Sequence, residues 1–220
     1  MNQKEIIESF YFRHACKIFD KNKKIPEDKF KIILEAARFS PSSFGFEPWH
    51  FLVVNDMKKR EKLLSVTWGA QNILPTASHY VIILARKKPS LLYNSSYITH
   101  MLYDVHKFSK EKGEARRSKY KKFQEEDFKL LESERAIFDW ACKQCYIALA
   151  NMMSVAAMLK IDSCAVEGFE IDKIEKIMQD EFYIDTKLFG VAVMAGFGYR
   201  IKEPPKKTRQ KLEDIVTFLE

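Results

Sequence analysis

Tyr80-Val81-Ile82-Ile83-Leu84 is an uninterrupted apolar run of β-branched and aromatic residues. A strand with one wet face alternates polar and apolar residues. A run with no polar position predicts a strand covered on both faces, as in a sheet enclosed between helices. Two further runs share this character: His50 to Val54, closed by Asn55-Asp56, and Leu188 to Phe197, ended by Gly196 and Gly198. Ala165 lies on a short extended segment, and the tail from Ile215 to Leu219 has strand composition.

Helical patterns fill the intervals. Met1 to Phe12 reads as an amphipathic helix. Pro26 with Glu27 and Asp28 marks a helix start, since proline suits the first turn and acids suit the positive end of the dipole. Phe30, Ile33, Leu34 and Ala37 then share one face, and Ser40-Pro41 ends the helix. Met57 to Val66 and Ile171 to Met178 are helical. Ile137 to Leu159 is a long apolar helix with small residues, suited to a central position. Tyr103 to Lys122 is charged and reads as helix with a mobile part. Strands and helices mix without strict βαβ alternation, and no internal repeat occurs. The expected fold is therefore α+β or three-layer rather than doubly wound, in a single domain over 1–220.

Composition narrows the function classes. Hydrophobic residues make up 46% and charged residues 30% of 220, as in an ordinary soluble globular protein. The longest mostly apolar run, Tyr146 to Leu159, falls short of the roughly 18 residues a membrane span requires. No secretory leader is seen, and the expected location is the cytoplasm, with no membrane partner. The net charge is +7, concentrated in Lys107 to Lys122. No nucleic-acid-binding signature accompanies that run, so a solvated helix face is expected rather than a nucleic-acid partner. Cys142-Lys143-Gln144-Cys145 lies inside an apolar helical pattern and reads as packing cysteines. The histidines show no metal-ligand spacing, so no metal site is expected, and His50 beside Trp49 reads as structural. Gly196-Phe197-Gly198 lacks the third glycine and following helix of a dinucleotide fingerprint.

Two basic clusters stand out. Arg13-His14-Ala15-Cys16-Lys17 follows the first helix, and Lys206-Lys207-Thr208-Arg209 lies in the tail. Arginine offers a fork that matches phosphate and lysine a point charge, so together they could hold one phosphate; spacing cannot show whether they meet. Between a helix and a strand lies Ser40-Pro41-Ser42-Ser43-Phe44-Gly45-Phe46-Glu47-Pro48-Trp49-His50-Phe51, rich in hydroxyls and aromatics. Its hydroxyls and free amides could bond the polar edge of a planar ring, or it could be a turn whose Trp49 fills the core.

Taken in order, Arg-His-x-x-Lys, Ser-Pro-Ser-Ser…Pro-Trp-His-Phe and Glu167-Gly168-Phe169 resemble the FMN-dependent nitroreductases. Thr76-Ala77-Ser78-His79 and Trp140 to Tyr146 extend the resemblance over nearly the whole chain. The resemblance implies an α+β three-layer sandwich with a central mixed, mainly antiparallel sheet flanked by helices, built as an intertwined homodimer with one FMN in each interface cleft. It implies an enzyme that passes hydride from NADH or NADPH through flavin to nitroaromatics, quinones or similar electron-poor acceptors, by a ping-pong mechanism. The alternative is a flavin-binding storage or sensing protein without reductase turnover.

The resemblance also assigns residues. Arg13 is similar to a flavin phosphate or ribityl ligand, with His14 and Ala15 as neighbouring backbone contacts; Ala15 stands where the family often has serine. Lys17 corresponds to the lysine at the pyrimidine edge, where a cation stabilises charge on the reduced flavin. Pro41, Ser42 and Ser43 correspond to the partner subunit's contribution. Gly45 stands where many relatives have asparagine, and Glu47 where many have glutamine. Gln71 or Asn72 replaces a polar ribityl contact. Ala165, Val166, Glu167 and Gly168 form the segment whose backbone approaches the reactive edge, and Gly168 would leave that face open. Lys207 and Arg209 grip the phosphate. Lys17, Glu167 and Gly168 are the expected catalytic positions. The resemblance further implies that the tail strand adds to the partner's sheet, and that Tyr103 to Phe128 forms the wall setting substrate shape.

Overall fold

The computed structural model describes residues 2–219. Four strands form the sheet: β1 (Trp49–Val53), β2 (His79–Arg86), β3 (Asp162–Val166) and β4 (Phe189–Gly198), in the order β1-β2-β4-β3. Every ladder is antiparallel. The expected parallel component is reduced to one isolated bridge, between Ala15 and Ser163 of β3. The helices are α1 (Gln3–Phe12), α2 (Glu27–Arg38), α3 (Met57–Leu64), α4 (Ile73–Thr76), α5 (Lys88–Leu91), α6 (Ser96–His100), α7 (Lys110–Lys122), α8 (Glu134–Met158) and α9 (Ile171–Phe182).

β2 carries the layering. Val81, Ile83 and Ala85 pack with residues of α2 and α8, including Phe30, Ile33, Ala141 and Cys145. The alternate residues Tyr80, Ile82 and Leu84 pack on the opposite face with Leu63 of α3, Ile73 of α4 and Ile174 of α9. Period-two alternation thus divides one apolar strand between two cores, as its lack of polar residues requires. Trp49 anchors the first core at 8% exposure. Cys142 and Cys145 pack along α8, where burial pushes the Cys142 thiol to about 12 and Cys145 well above its ordinary value.

Local chemistry explains the helix starts. Asn2 and Glu5 form a reciprocal capping box at α1. Asp56, Ser95, Ser109 and Ser133 accept backbone N–H groups at the starts of α3, α6, α7 and α8.

Two expectations change. Residues 215–219 form no strand; a 3-10 turn at Leu212–Asp214 precedes them, and Ile215, Phe218 and Leu219 are exposed. An edge needs a neighbouring ladder to become a strand, and this chain offers the tail none. The charged segment, expected as helix from Tyr103, is α-helical only from Lys110, with irregular backbone at 106–109, a π turn at Met101–Val105 before it and another at Phe123–Asp127 after Lys122. Arg117 fastens it by donating to the Tyr93 carbonyl at 2.6 Å and to Thr99 Oγ1 at 3.1 Å. Tyr103 Oη donates to Glu114 at 2.6 Å.

Candidate functional site

The chain leaves α1 in an extended conformation at Arg13 and runs beside β3, where Cys16 N donates to the Ser163 carbonyl at 3.2 Å. Extended backbone alternates its side chains. Cys16 turns inward at 3% exposure, whereas Ala15 and Lys17 are exposed. His14 turns toward Asp162, at 3.5 Å. Burial and the Arg200 charge lower the His14 pKa. The His14 ring is thus directed to the Asp162–Arg200 pair. His14, Cys16 and Asp162 also lie close enough together to share an ion. Asp162 is already committed to the Arg200 guanidinium, 2.7 Å away, and to its N–H, and burial holds the Cys16 thiol at about 12.

Lys17 lies against Cys164 of β3. Burial raises that thiol's pKa, and the Lys17 and Arg13 charges pull it back. The basic tail arrives from the other direction. Arg200 pairs with Asp162 and donates to the Phe12 carbonyl at 3.1 Å, so the chain beyond β4 follows the end of α1. Lys207 Nζ then donates to the carbonyls of Phe10, at 2.6 Å, and Arg13. Burial first, then the charges of Arg13 and Arg209, depress the Lys207 pKa. Among the described residues neither Arg13, Lys17, Lys207 nor Arg209 makes an ion pair with a carboxylate. The two clusters, separate in sequence, meet as a cationic group that lacks its counter-charge.

The Glu167-Gly168-Phe169 turn follows β3. Gly69 N donates to the Gly168 carbonyl at 2.8 Å, and Glu170 N to the Val66 carbonyl at 2.9 Å. A Cβ on Gly168 would lie 2.7 Å from Gly69 Cα, and one on Gly69 2.9 Å from Gly168 Cα. Gly168 is buried, and the contact of two backbones requires glycine there, a reason the sequence did not show. The contact also brings residues 68–72 to the site. Gln71 Nε2 is committed to the carbonyls of Leu64 and Thr67, at 2.6 and 3.0 Å. Asn72 is exposed, and its side-chain amide has no partner among the described residues. Tyr146 of α8 donates to the Glu167 carboxylate, a contact absent from the expectations; its ordinary place inside an apolar helix gave no signal.

The loop of Pro41, Ser42, Ser43 and Gly45 is held elsewhere. Ser43 N donates to Gln144 Oε1 at 2.9 Å, Glu47 N to Ser42 Oγ at 2.9 Å, and Tyr97 Oη to the carbonyls of Phe46 and Glu47 at 2.8 and 2.9 Å. His106 Nε2 lies 3.0 Å from the Gly45 carbonyl. Gln144 and Tyr146 are two residues apart on α8, hence about 200° around the helix at 3.6 residues per turn. Within one chain, the loop and Glu167 therefore attach to opposite faces of α8. The structure assembles the Arg13, Lys17, Lys207, Arg209 and Ala165–Gly168 part of the expected site and leaves the Pro41–Gly45 part apart from it.

Comparison with known proteins gives the family. Residues 11–199 match the nitroreductase family model, and the chain belongs to that family. It is 50% identical over 221 residues to a Staphylococcus epidermidis protein provisionally named an NAD(P)H nitroreductase, covering 100% of this chain and 99% of that one. It is 48% identical over 215 residues to Bacillus subtilis YfkO, named in the same way, covering 98% and 97%. A nitroreductase-named protein of Exiguobacterium sibiricum, crystallised in complex with FMN, superposes with a TM-score of 0.76 at 20% identity, covering 100% of this chain and 98% of that one. Among the described residues no helix is long and apolar enough to cross a membrane.

Proposed function

We propose that the chain is an FMN-dependent reductase of nitroaromatics, quinones or similar electron-poor acceptors, a single functional unit over residues 1–220 that works as a homodimer. The observation that carries this reading is the convergence of Arg13, Lys207 and Arg209 without a carboxylate. Uncompensated cations repel one another, and a phosphate offsets that cost while accepting charge-assisted hydrogen bonds.

Bound FMN would supply the two-electron relay, taking hydride from NADH or NADPH and passing it to the acceptor in the ping-pong order. This chain's residues do the rest. Arg13, Lys207 and Arg209 hold the phosphate, and Asn72 rather than Gln71 is free to bond the sugar chain. Lys17 places a cation where negative charge develops on reduction. The backbone of Ala165, Val166, Glu167 and Gly168 lines the reactive edge, and the Gly69–Gly168 contact and Tyr146 fix that segment. Pro41, Ser42, Ser43 and Gly45 serve the second copy's site, which agrees with their attachment to the far face of α8. The exposed apolar residues Ile6, Ile7, Phe10 and Tyr11 of α1 supply a surface for that second copy, as do Ile215, Phe218 and Leu219. Four unpaired cysteines suit the reducing cytoplasm.

The purified protein is expected to be yellow and to bleach on anaerobic titration with NADH or NADPH. A colourless preparation that takes up no FMN would overturn the reading. A yellow protein that neither nucleotide bleaches would turn it into a flavin-storage or sensing protein. Removal of residues 210 to 220 is expected to weaken the dimer, measured by sedimentation; an unchanged dimer would sink the role of the tail.

A further inference from the structure

Phe44 sits in the loop between α2 and β1 with a left-handed backbone, φ 59°. A non-glycine residue rarely holds this conformation unless its surroundings enforce it. Here Gln144, Tyr97 and His106 fasten the residues on either side. The Phe44 ring packs at 4.9 Å from Tyr120 and 5.1 Å from Phe123. Its direction is therefore set by the fold.

The guanidinium of Arg116, on α7, lies 4.8 Å from the centre of that ring. Its Nε is buried and has no hydrogen-bond partner. Among the described residues Arg116 makes no ion pair. The adjacent Arg117 is spent entirely on structure, through Tyr93, Thr99 and Glu114. α7 thus commits one arginine to its own anchoring and holds the other against an aromatic face with its fork unfilled. A buried N–H without an acceptor is costly, and the interaction with a ring uses the guanidinium face, leaving its in-plane N–H groups free. A flat ring bearing a carboxylate or phosphate satisfies both features: the ring meets Phe44 and the anion takes the fork.

We propose that Arg116 with Phe44 forms an anion-recognising subsite in the acceptor cleft, selecting planar ligands that carry a carboxylate or phosphate. This rests on the proposed function, which places the Pro41–Gly45 loop at the flavin of the second copy.

The test compares 4-nitrobenzoate with methyl 4-nitrobenzoate as acceptors for the wild-type holoprotein, R116Q and R116K. The ratio of kcat/KM for acid over ester is expected to fall about tenfold in R116Q, the scale of one lost charge-assisted hydrogen bond, and less in R116K. Flavin reduction by NADPH and by NADH is measured on the same proteins. A loss confined to NADPH assigns the anion to the donor's 2′-phosphate, and a loss confined to the acid assigns it to the acceptor. Unchanged ratios in both arms overturn the subsite. Should neither nucleotide bleach the flavin, the proposed function fails on its own. Calorimetric titration with benzoate, which does not react, then decides Arg116 separately: weaker binding to R116Q than to wild type supports the subsite, and equal or absent binding overturns it.

Discussion

The ammonium of Lys207 donates to the main-chain carbonyl of Arg13, 194 residues earlier in the chain. The carbonyls at the end of a helix lack partners inside it, and a lysine supplies them. Lys207 takes that part for α1, with the Phe10 carbonyl as its second acceptor. The same bonds bring the tail's charges beside the Arg13 guanidinium, where the Lys207 pKa is depressed by burial and by its cationic neighbours. One side chain thus caps the helix, and under the proposed function it would also help to hold the phosphate.

Lys207→Met and Arg209→Gln are each expected to raise the FMN dissociation constant about tenfold, the size of one charge-assisted contact. Riboflavin, which lacks the phosphate, provides the control. Quenching of flavin fluorescence on reconstitution measures both, and Arg209→Gln should bind riboflavin as wild type does. Equal FMN affinity in both variants would remove the tail from the site.

Gly168→Ala is expected to destabilise the protein by about 1–3 kcal/mol, the usual cost of forcing a group into a filled space. Its Cβ would meet the Gly69 backbone, which cannot swing away as a side chain can. Gly69→Ala should behave alike, and a thermal melt reads both. A melting temperature unchanged in both variants would mean that the two backbones separate freely.

Arg60 is 2% exposed on α3, and its guanidinium donates to the carbonyls of Val54 at 2.6 Å, Ala77 at 2.6 Å, and Leu74 and Ser78 at 3.2 Å. Arg60→Met leaves these acceptors without donors, at about 1–3 kcal/mol for each one kept from water. The urea midpoint should therefore drop sharply in Arg60→Met, and Arg60→Lys should recover only part because an ammonium cannot span four acceptors. A midpoint close to wild type in Arg60→Met would refute this account.

His79 is buried, stacked on Phe30 at a centroid distance of 3.8 Å. Burial lowers its pKa, with Glu27 acting in the opposite direction. Below about 6.5, the ordinary value for histidine, the unfolded chain takes up a proton before the native protein does, so stability falls as pH drops from there toward the depressed native value. Denaturation at pH 5.5 and 7.5 is expected to show a smaller pH effect in His79→Gln than in wild type. A residual slope remains from His14 and His50, whose pKa values are also lowered chiefly by burial. An identical slope in the variant would exclude His79 as a contributor.

The elements near the core were readable because local pattern and burial agree. Tyr80 to Leu84 has no polar residue, and such a strand is stable only when covered on both faces. Pro26 and the apolar positions of α2, at helical spacing, behave in the same way. Arg60 was hidden, because MKKREKLL reads as a solvated helix and only the crossing of four backbone carbonyls explains a buried guanidinium. The tail misled for the opposite reason: strand composition at Ile215 to Leu219 states what those side chains favour, while a strand also needs a neighbour to pair with.

By itself, the sequence determined the layered α+β architecture and the family, and named the residues of the candidate site, since periodicity and motif order are carried along the chain. Tertiary structure alone decided that Arg13 meets Lys207, that Gly168 answers to Gly69, and that the Pro41–Gly45 loop and Glu167 face opposite sides of α8. Each is a relation between segments distant in sequence, fixed by how helices and strands pack and by which backbone groups need partners. Local preference carries no information about such encounters.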